Sequence, residues 1–248
     1  MNDVALEGRS NLTKTVPQQI ADQIARRIVD GEFKDGDPLR EQELASYYGV
    51  SRGPIRDAIQ ELERRGLLEI LPRRGAYVIE PTIDTIADVF NVQAAMAGLA
   101  ARYMARCGTP EAIGHLADVI GELETLAEQQ DVEPIVFVTP CWRLLSIVAA
   151  NCGNEHLRRT MRDLFKHSLW GVLWGSQPLD YLTRERRQQM ALNSRALLEA
   201  ISAGQDERAE WLLRKIVFAS RDEGMRIIRK LRGQDVDPSR IMHDSNSG

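Results

Sequence analysis

The sequence predicts a mainly α-helical chain in two unequal parts, and three observations carry that prediction. Apolar residues recur at spacings of three and four through most of the 248 residues, the period of a helix with one buried face. A single stretch, "LLEILPRRGAYVIE" at 67–80, instead alternates and turns at "PRRG", as a two-stranded hairpin would. At "IEPTID", 79–84, the texture changes: Pro81 cannot continue a strand ladder, and Thr82 or Asp84 can cap a following helix.

The totals narrow the function classes. A hydrophobic share of 43% with 27% charge fits a globular chain of one or two domains. No apolar run reaches the roughly 18 residues of a membrane span, and "MNDVALEGRS" has no signal-peptide core, so the expectation is a cytoplasmic protein. Three cysteines without a secretion signal imply reduced thiols. The net charge of −4 gives no global attraction for nucleic acid, so any such binding must come from a local basic patch.

In the N-terminal part, "VPQQIADQIARRIVDG" places Ile20, Ala21, Ile24, Ala25 and Ile28 on one stripe, with Gly31 as a stop. "EFKDGDPL" reads as a turn. "REQELASYYGV" is a short helix with Leu44 and Ala45 inward, Gly49 in a tight turn and Val50 packing down. Ser51 is a good N-cap for "RGPIRDAIQELERRG", which ends at Gly66. Helix, short helix, turn, helix, hairpin is the order of a winged helix-turn-helix.

The third helix carries the functional pattern. At 100° per residue, Ile55, Ala58, Ile59 and Leu62 share one side; Gly53, Arg56, Gln60 and Arg64 share the other, with Arg52 at the leading end. An apolar back fixes such a helix to its domain, and Arg and Gln on the front can bond base edges or phosphates. Arg73 and Arg74 at the hairpin tip can grip the backbone or a minor groove. Between positions 51 and 74, six Arg face four acids, so the patch is only locally positive.

The stretch "LREQELASYYGVSRGPIRDAIQELERRGLLEILPRRGAYV" resembles the DNA-binding domain of the GntR family of bacterial transcription factors. The helical remainder resembles that family's FadR-type ligand domain (FCD) at "NVQAAMAGLAARYMA" (91–105), "CGN" (152–154) and "ALLEAISAGQ" (196–205). The resemblance implies a winged helix-turn-helix over residues 1–80 and an all-helical antiparallel bundle for effector binding and dimerisation over 84–232; the polar composition of residues 233–248 predicts a disordered tail. It implies a homodimer on a double-stranded palindromic operator, most simply a repressor released by a small-molecule effector. The DNA contacts it implies are Gln42, Ser51, Arg52, Gly53, Arg56, Arg73 and Arg74. Two positions depart from the family pattern: many relatives carry Thr or Ser at Gly53, and often Arg at Gln42.

Many relatives hold a divalent metal in the helical domain with one Asp and three His. In this chain those positions fall on Cys141, Leu145, Ser194 and Ile216, and the histidines at 115, 156, 167 and 243 match none of them. Three or four donors are needed, so no metal and no other cofactor is expected. Relatives also carry an Arg and, four later, a Glu where this chain has Gln93 and Ala97. The expected effector site is therefore Gln93, Cys141, Leu145, Ser194 and Ile216, with Trp142, Trp170, Trp174 or Trp211 nearby, suiting a mostly apolar molecule.

"PCWRLLSIVAANCGN" is read as one helix, with Thr139 as N-cap, Pro140 at its first position and Gly153 as its stop. Its inward stripe is Cys141, Leu144, Leu145 and Val148. Cys141 and Cys152 would stand roughly 16 Å apart along it, too far for a disulfide. No phosphate loop, metal set or nucleophile–base constellation supports an enzyme. The alternatives left open are a transcriptional activator, a regulator whose pocket senses nothing, an architectural DNA binder and, more remotely, an enzyme using the helical half.

Overall fold

The computed structural model describes residues 14–29, 32–79, 82–167, 180–233 and 235–242, which divide into two units at the joint 80–81. In the first unit, helix α1 (Val16–Val29) buries the stripe Ile20, Ala21, Ile24, Ala25 and Ile28. Helix α2 (Glu41–Tyr48) buries Leu44 and Ala45 and ends at Gly49, whose φ of 65° is the left-handed turn that glycine tolerates. Helix α3 (Arg52–Arg64) buries Ile55, Ala58, Ile59 and Leu62 against α1 and α2. Gly31 and Pro81 lie outside the described residues.

The hairpin is part of a larger sheet than expected. Strand β1 (Pro38–Leu39) pairs antiparallel with β3 (Gly75–Val78), which also pairs with β2 (Leu68–Leu71), giving the order β1-β3-β2. "EFKDGDPL" is thus a turn that runs into a strand. Pro38 has no N–H to give a ladder and sits on an edge, where none is needed. The chain before it is drawn in by Gly36 N–H on the Val78 carbonyl and Val78 N–H on the Asp37 carbonyl, both 2.9 Å.

A buried ion network ties α1 to the end of α3. Arg65 donates to Glu61 at 3.0 Å and to Asp22 at 2.6 Å. Burial pushes the Asp22 carboxyl upward, but hydrogen bonds from Lys14 and Arg65 outweigh it and hold it below its ordinary value.

The second unit is a helical bundle: α4 (Ile83–Cys107), α5 (Pro110–Glu128), α6 (Pro134–Ala150), α7 (Glu155–His167), α8 (Arg184–Ser202) and α9 (Asp206–Arg232). Helix α4 packs along α9 and also meets α6 and α8, while α5 packs on α6 and α8. Thr82, Thr109 and Thr183 cap α4, α5 and α8 through their hydroxyls.

Two sequence expectations need correction here. Helix α6 starts at Pro134, not at Pro140, which is buried inside it. A proline suits the first turn, and Pro134 takes that place; Thr139–Pro140 carries the same start pattern farther along, which hid the true start. The tail also differs from expectation over residues 235–242. A 3-10 helix, Pro238–Arg240, follows Asp237, whose N–H donates to Asp84, and Asn91 donates to the Arg240 carbonyl at 2.7 Å. The buried Arg221 reaches both Asn91 and the Met242 carbonyl at 2.8 Å, so these tail residues satisfy polar groups of the bundle.

Candidate DNA-binding face and effector pocket

On α3 the side opposite the core is open. Arg52, Gly53, Arg56, Gln60 and Arg64 are all exposed, as is Ser51 before them. Ser51 has N-cap backbone geometry (φ −71°, ψ 168°), but its hydroxyl makes no capping bond. Arg52 donates to Gln42, which joins α2 to the front of α3. Arg56 donates Nε and Nη2 to the two carboxylate oxygens of Glu41, at 3.2 Å each. This pair is solvent-exposed, so it contributes little stability, and a nucleic-acid phosphate can take the place of Glu41.

The wing adds to the same face. Arg73 holds φ at 63° in the turn between β2 and β3, a conformation uncommon for a side-chain-bearing residue. Arg74 lies 5.9 Å from the Tyr77 ring centre. Between α3 and the wing runs a groove of about 570 Å3, lined by Arg40, Glu41, Arg56, Gln60, Arg74 and Tyr77. Arg40 and Tyr77 were not among the residues expected from sequence. Strand alternation from Ala76 and Val78 could have placed Tyr77 outward.

The expected effector residues are mostly interior. Gln93, Cys141, Ser194 and Ile216 are buried on α4, α6, α8 and α9, while Leu145 is half-buried. The inward stripe of α6 is thus Cys141, Leu144 and Val148, with Leu145 at its edge. Two of the polar groups are already engaged: Cys141 donates to the Phe137 carbonyl at 3.3 Å, and Ser194 to the Met190 carbonyl at 2.8 Å. Trp142 and Trp211 are half-buried, and Trp211 carries the Lys215 ammonium 5.1 Å from its ring. Trp170 and Trp174 lie outside the described residues.

Sequence reasoning missed a buried polar cluster beside Cys141. The segment before α8 brings in Asp180 and Tyr181, both almost fully buried. Asp180 accepts from Arg186 at 2.9 Å and from the Tyr181 N–H at 2.7 Å. Arg186 also donates to Ser220 of α9 at 3.1 Å, and the Tyr181 hydroxyl lies 3.3 Å from the same Ser220 oxygen. The Tyr181 ring packs on Phe137, centroids 4.9 Å apart, with the Arg186 guanidinium 4.9 Å from its centre. Burial pushes the Asp180 carboxyl above its ordinary value against the pull of Arg186. Burial drives the Cys141 thiol far up, although the Tyr181 hydroxyl bonds to it.

These donors do not fit the divalent metal of metal-binding relatives. Leu145 and Ile216 offer no lone pair and the Ser194 hydroxyl is committed to its own helix, so Cys141 alone would be left as a donor where three or four are needed. His115 and His156 are exposed; His243 and the side chain of His167 are outside the described residues.

Residues 17–78 match the family model for bacterial regulatory proteins of the gntR family, and residues 88–218 match the FCD domain. The chain belongs to the GntR family. Among its relatives is a probable D-xylose utilization operon transcriptional repressor of Paenarthrobacter nicotinovorans, 28% identical over 83% of this chain and 87% of that one. The repressor RspR of Escherichia coli (strain K12) is 40% identical over 75 residues, 30% of this chain and 33% of its own. Of solved structures, E. coli McbR/YncC has a TM-score of 0.59 at 17% identity, over 88% of this chain and 99% of that one. At that identity the likeness is one of fold. This GntR-family chain is a DNA-binding transcriptional regulator and not an enzyme. Among the described residues no helix is long and apolar enough to cross a membrane.

Proposed function

We propose that the protein is a homodimeric, cytoplasmic repressor that holds a palindromic operator and is released by a small molecule bound in its helical unit. The observation that carries the reading is the two-sided α3. Its buried Ile55, Ala58, Ile59 and Leu62 fix the helix in place, and Ser51, Arg52, Gly53 and Arg56 face outward with replaceable partners. Arg52 and Arg56 contact base edges or phosphates, Ser51 a phosphate, and Gly53 allows close approach of the backbone. Gln42 steadies Arg52, and Arg73 and Arg74 reach beyond the α3 contacts.

The dimer is supported by a stripe on α4, where Val92, Leu99 and Tyr103 are exposed and Met96 is half-exposed. Spacings of four, three and four put them on one face, which a two-fold partner can cover with the same residues. Repressor names among the relatives support the sign of regulation. In this reading the effector site comprises Gln93, Cys141, Leu145, Ser194 and Ile216. Its walls are largely apolar, and the cluster around Arg186 beside Cys141 adds one polar corner, so the effector has an apolar body and one polar end.

The test is fluorescence anisotropy of the full-length protein on DNA from its own promoter region and on scrambled DNA. The reading requires sequence selectivity, steep salt dependence and two chains per site. Equal affinity for both DNAs contradicts it.

A further inference from the structure

Arg186 sits inside the helical unit with its side chain 13% exposed, and among the described residues its Nε has no hydrogen-bond partner. A guanidinium presents its donors as a planar fork that a carboxylate can engage with both oxygens. Asp180 uses only one oxygen on it; its other oxygen is turned to the Tyr181 N–H. Directly after Asp180, Tyr181 adopts φ 63°, a strained conformation for an aromatic residue, and lays its ring on Phe137 with its hydroxyl toward Cys141 and Ser220. One guanidinium therefore has a carboxylate at hydrogen-bond distance and a phenol ring 4.9 Å away, supplied by two consecutive residues. The neighbouring Arg187 has a different task, closing the Gln129, Gln130 and Tyr181 carbonyls.

We propose that Arg186 anchors an aromatic carboxylic acid, and that Asp180 and Tyr181 hold its place in the free protein as an internal stand-in. The ligand carboxylate replaces Asp180 on the Arg186 fork and can add a bond to the unpartnered Nε. Its ring takes the space that Tyr181 vacates against Phe137 and Cys141, and the displaced pair leaves its strained conformation. This rests on the effector-regulated reading above and sharpens its ligand to an acid with an aromatic body. A ligand can shift this equilibrium only by binding the vacated site better than the filled one, and the two-oxygen grip on Arg186 supplies that difference.

The test is chemical rescue in the full-length protein, with 4-hydroxyphenylacetate as probe and its neutral amide as control. Thermal unfolding is followed for the wild type, for D180A/Y181G and for D180A/Y181G/R186M. In the double variant the acid raises Tm by on the order of 5 °C at ~100-fold above half-saturation, and the amide does not. The wild type responds to the acid more weakly, since its own residues must first leave, and the triple variant does not respond. Equal effects of acid and amide, or equal responses of the double and triple variants, overturn the anchor role of Arg186. A response in the double variant with none in the wild type overturns displacement. If the double variant does not fold, D180N is read against the wild type, and a shift no larger than the wild type's overturns the proposal. Operator binding measured on the same samples separates the two readings. Absent DNA binding sinks the regulator reading, whereas intact DNA binding with no Arg186-dependent acid response sinks this inference alone.

Discussion

Arg52 and Arg56 stand on an exposed helix face with partners that solvent or a phosphate can replace, whereas Arg186 is enclosed with Asp180, Tyr181 and Ser220. Both places use arginine for its fork of donors. On α3 the fork is open to solvent with apolar residues behind it, which suits the proposed contact with DNA. In the helical unit the fork is already occupied, so access depends on moving something that belongs to the chain. A binding face can thus be recognised by what it leaves open, and an internal site by what fills it.

Five changes set the two regions against each other, from the largest expected effect down. Arg65→Ala removes the buried centre of the first unit's ion network and leaves Glu61 and Asp22 without it. That costs about 3–5 kcal/mol, read by denaturant unfolding. Arg65→Met keeps the packing but loses both ion pairs, so a loss much smaller than that of Arg65→Ala would show that packing, not charge pairing, holds the end of α3.

The two units give opposite outcomes for glycine. In the helical unit, a Cβ on Gly98 would meet Arg214 Cγ at 2.5 Å and the Glu210 carbonyl oxygen at 3.0 Å. Gly98→Ala should therefore destabilise by about 1–3 kcal/mol through forced separation of α4 and α9. On α3, a Cβ on Gly53 meets only the Ser51 hydroxyl, at 4.0 Å. Gly53→Ala should stabilise by roughly 0.5–1 kcal/mol while weakening operator binding, because the methyl stands on the DNA side. Unchanged operator affinity would place the DNA farther from the start of α3.

The second unit was less legible in the sequence than the first, for physical reasons. Ile20, Ile24 and Ile28, and Ile55, Ile59 and Leu62, are periodic enough to fix which faces turn inward, so the outward arginines followed. The two-residue β1 escaped because a glycine- and proline-rich segment reads as turn, and pairing with β3 is non-local. The Asp180–Arg186 cluster lies in "LDYLTRERR", which reads as a charged surface segment; its partner Ser220 is 34 residues away from Arg186. No periodicity reports a contact of that kind.

Two smaller effects refine the contrast. Arg73→Ala or Arg74→Ala should weaken binding to all DNA sequences alike and lower the salt slope by about one each, measured by anisotropy across a salt series. A change in sequence preference would instead assign base contacts to the wing. In acid, Asp22 matters only to the first unit. Its folded carboxyl lies below the ordinary 3.8, so the folded state binds fewer protons than the unfolded one. Its stabilisation is complete above that value and is lost as pH falls below it through the depressed pKa. Asp22→Asn should flatten this part of the stability–pH curve; an unchanged curve would assign the acid sensitivity elsewhere.

Operator affinity of the full-length protein with Arg52→Ala/Arg56→Ala tests the role of the outward face of α3 most directly. Each lost arginine contact is worth about 1–3 kcal/mol, so selective binding should fall by at least ~30-fold while Tm stays within roughly 2 °C of the wild type. Selective binding of wild-type strength in a folded double variant would contradict the account.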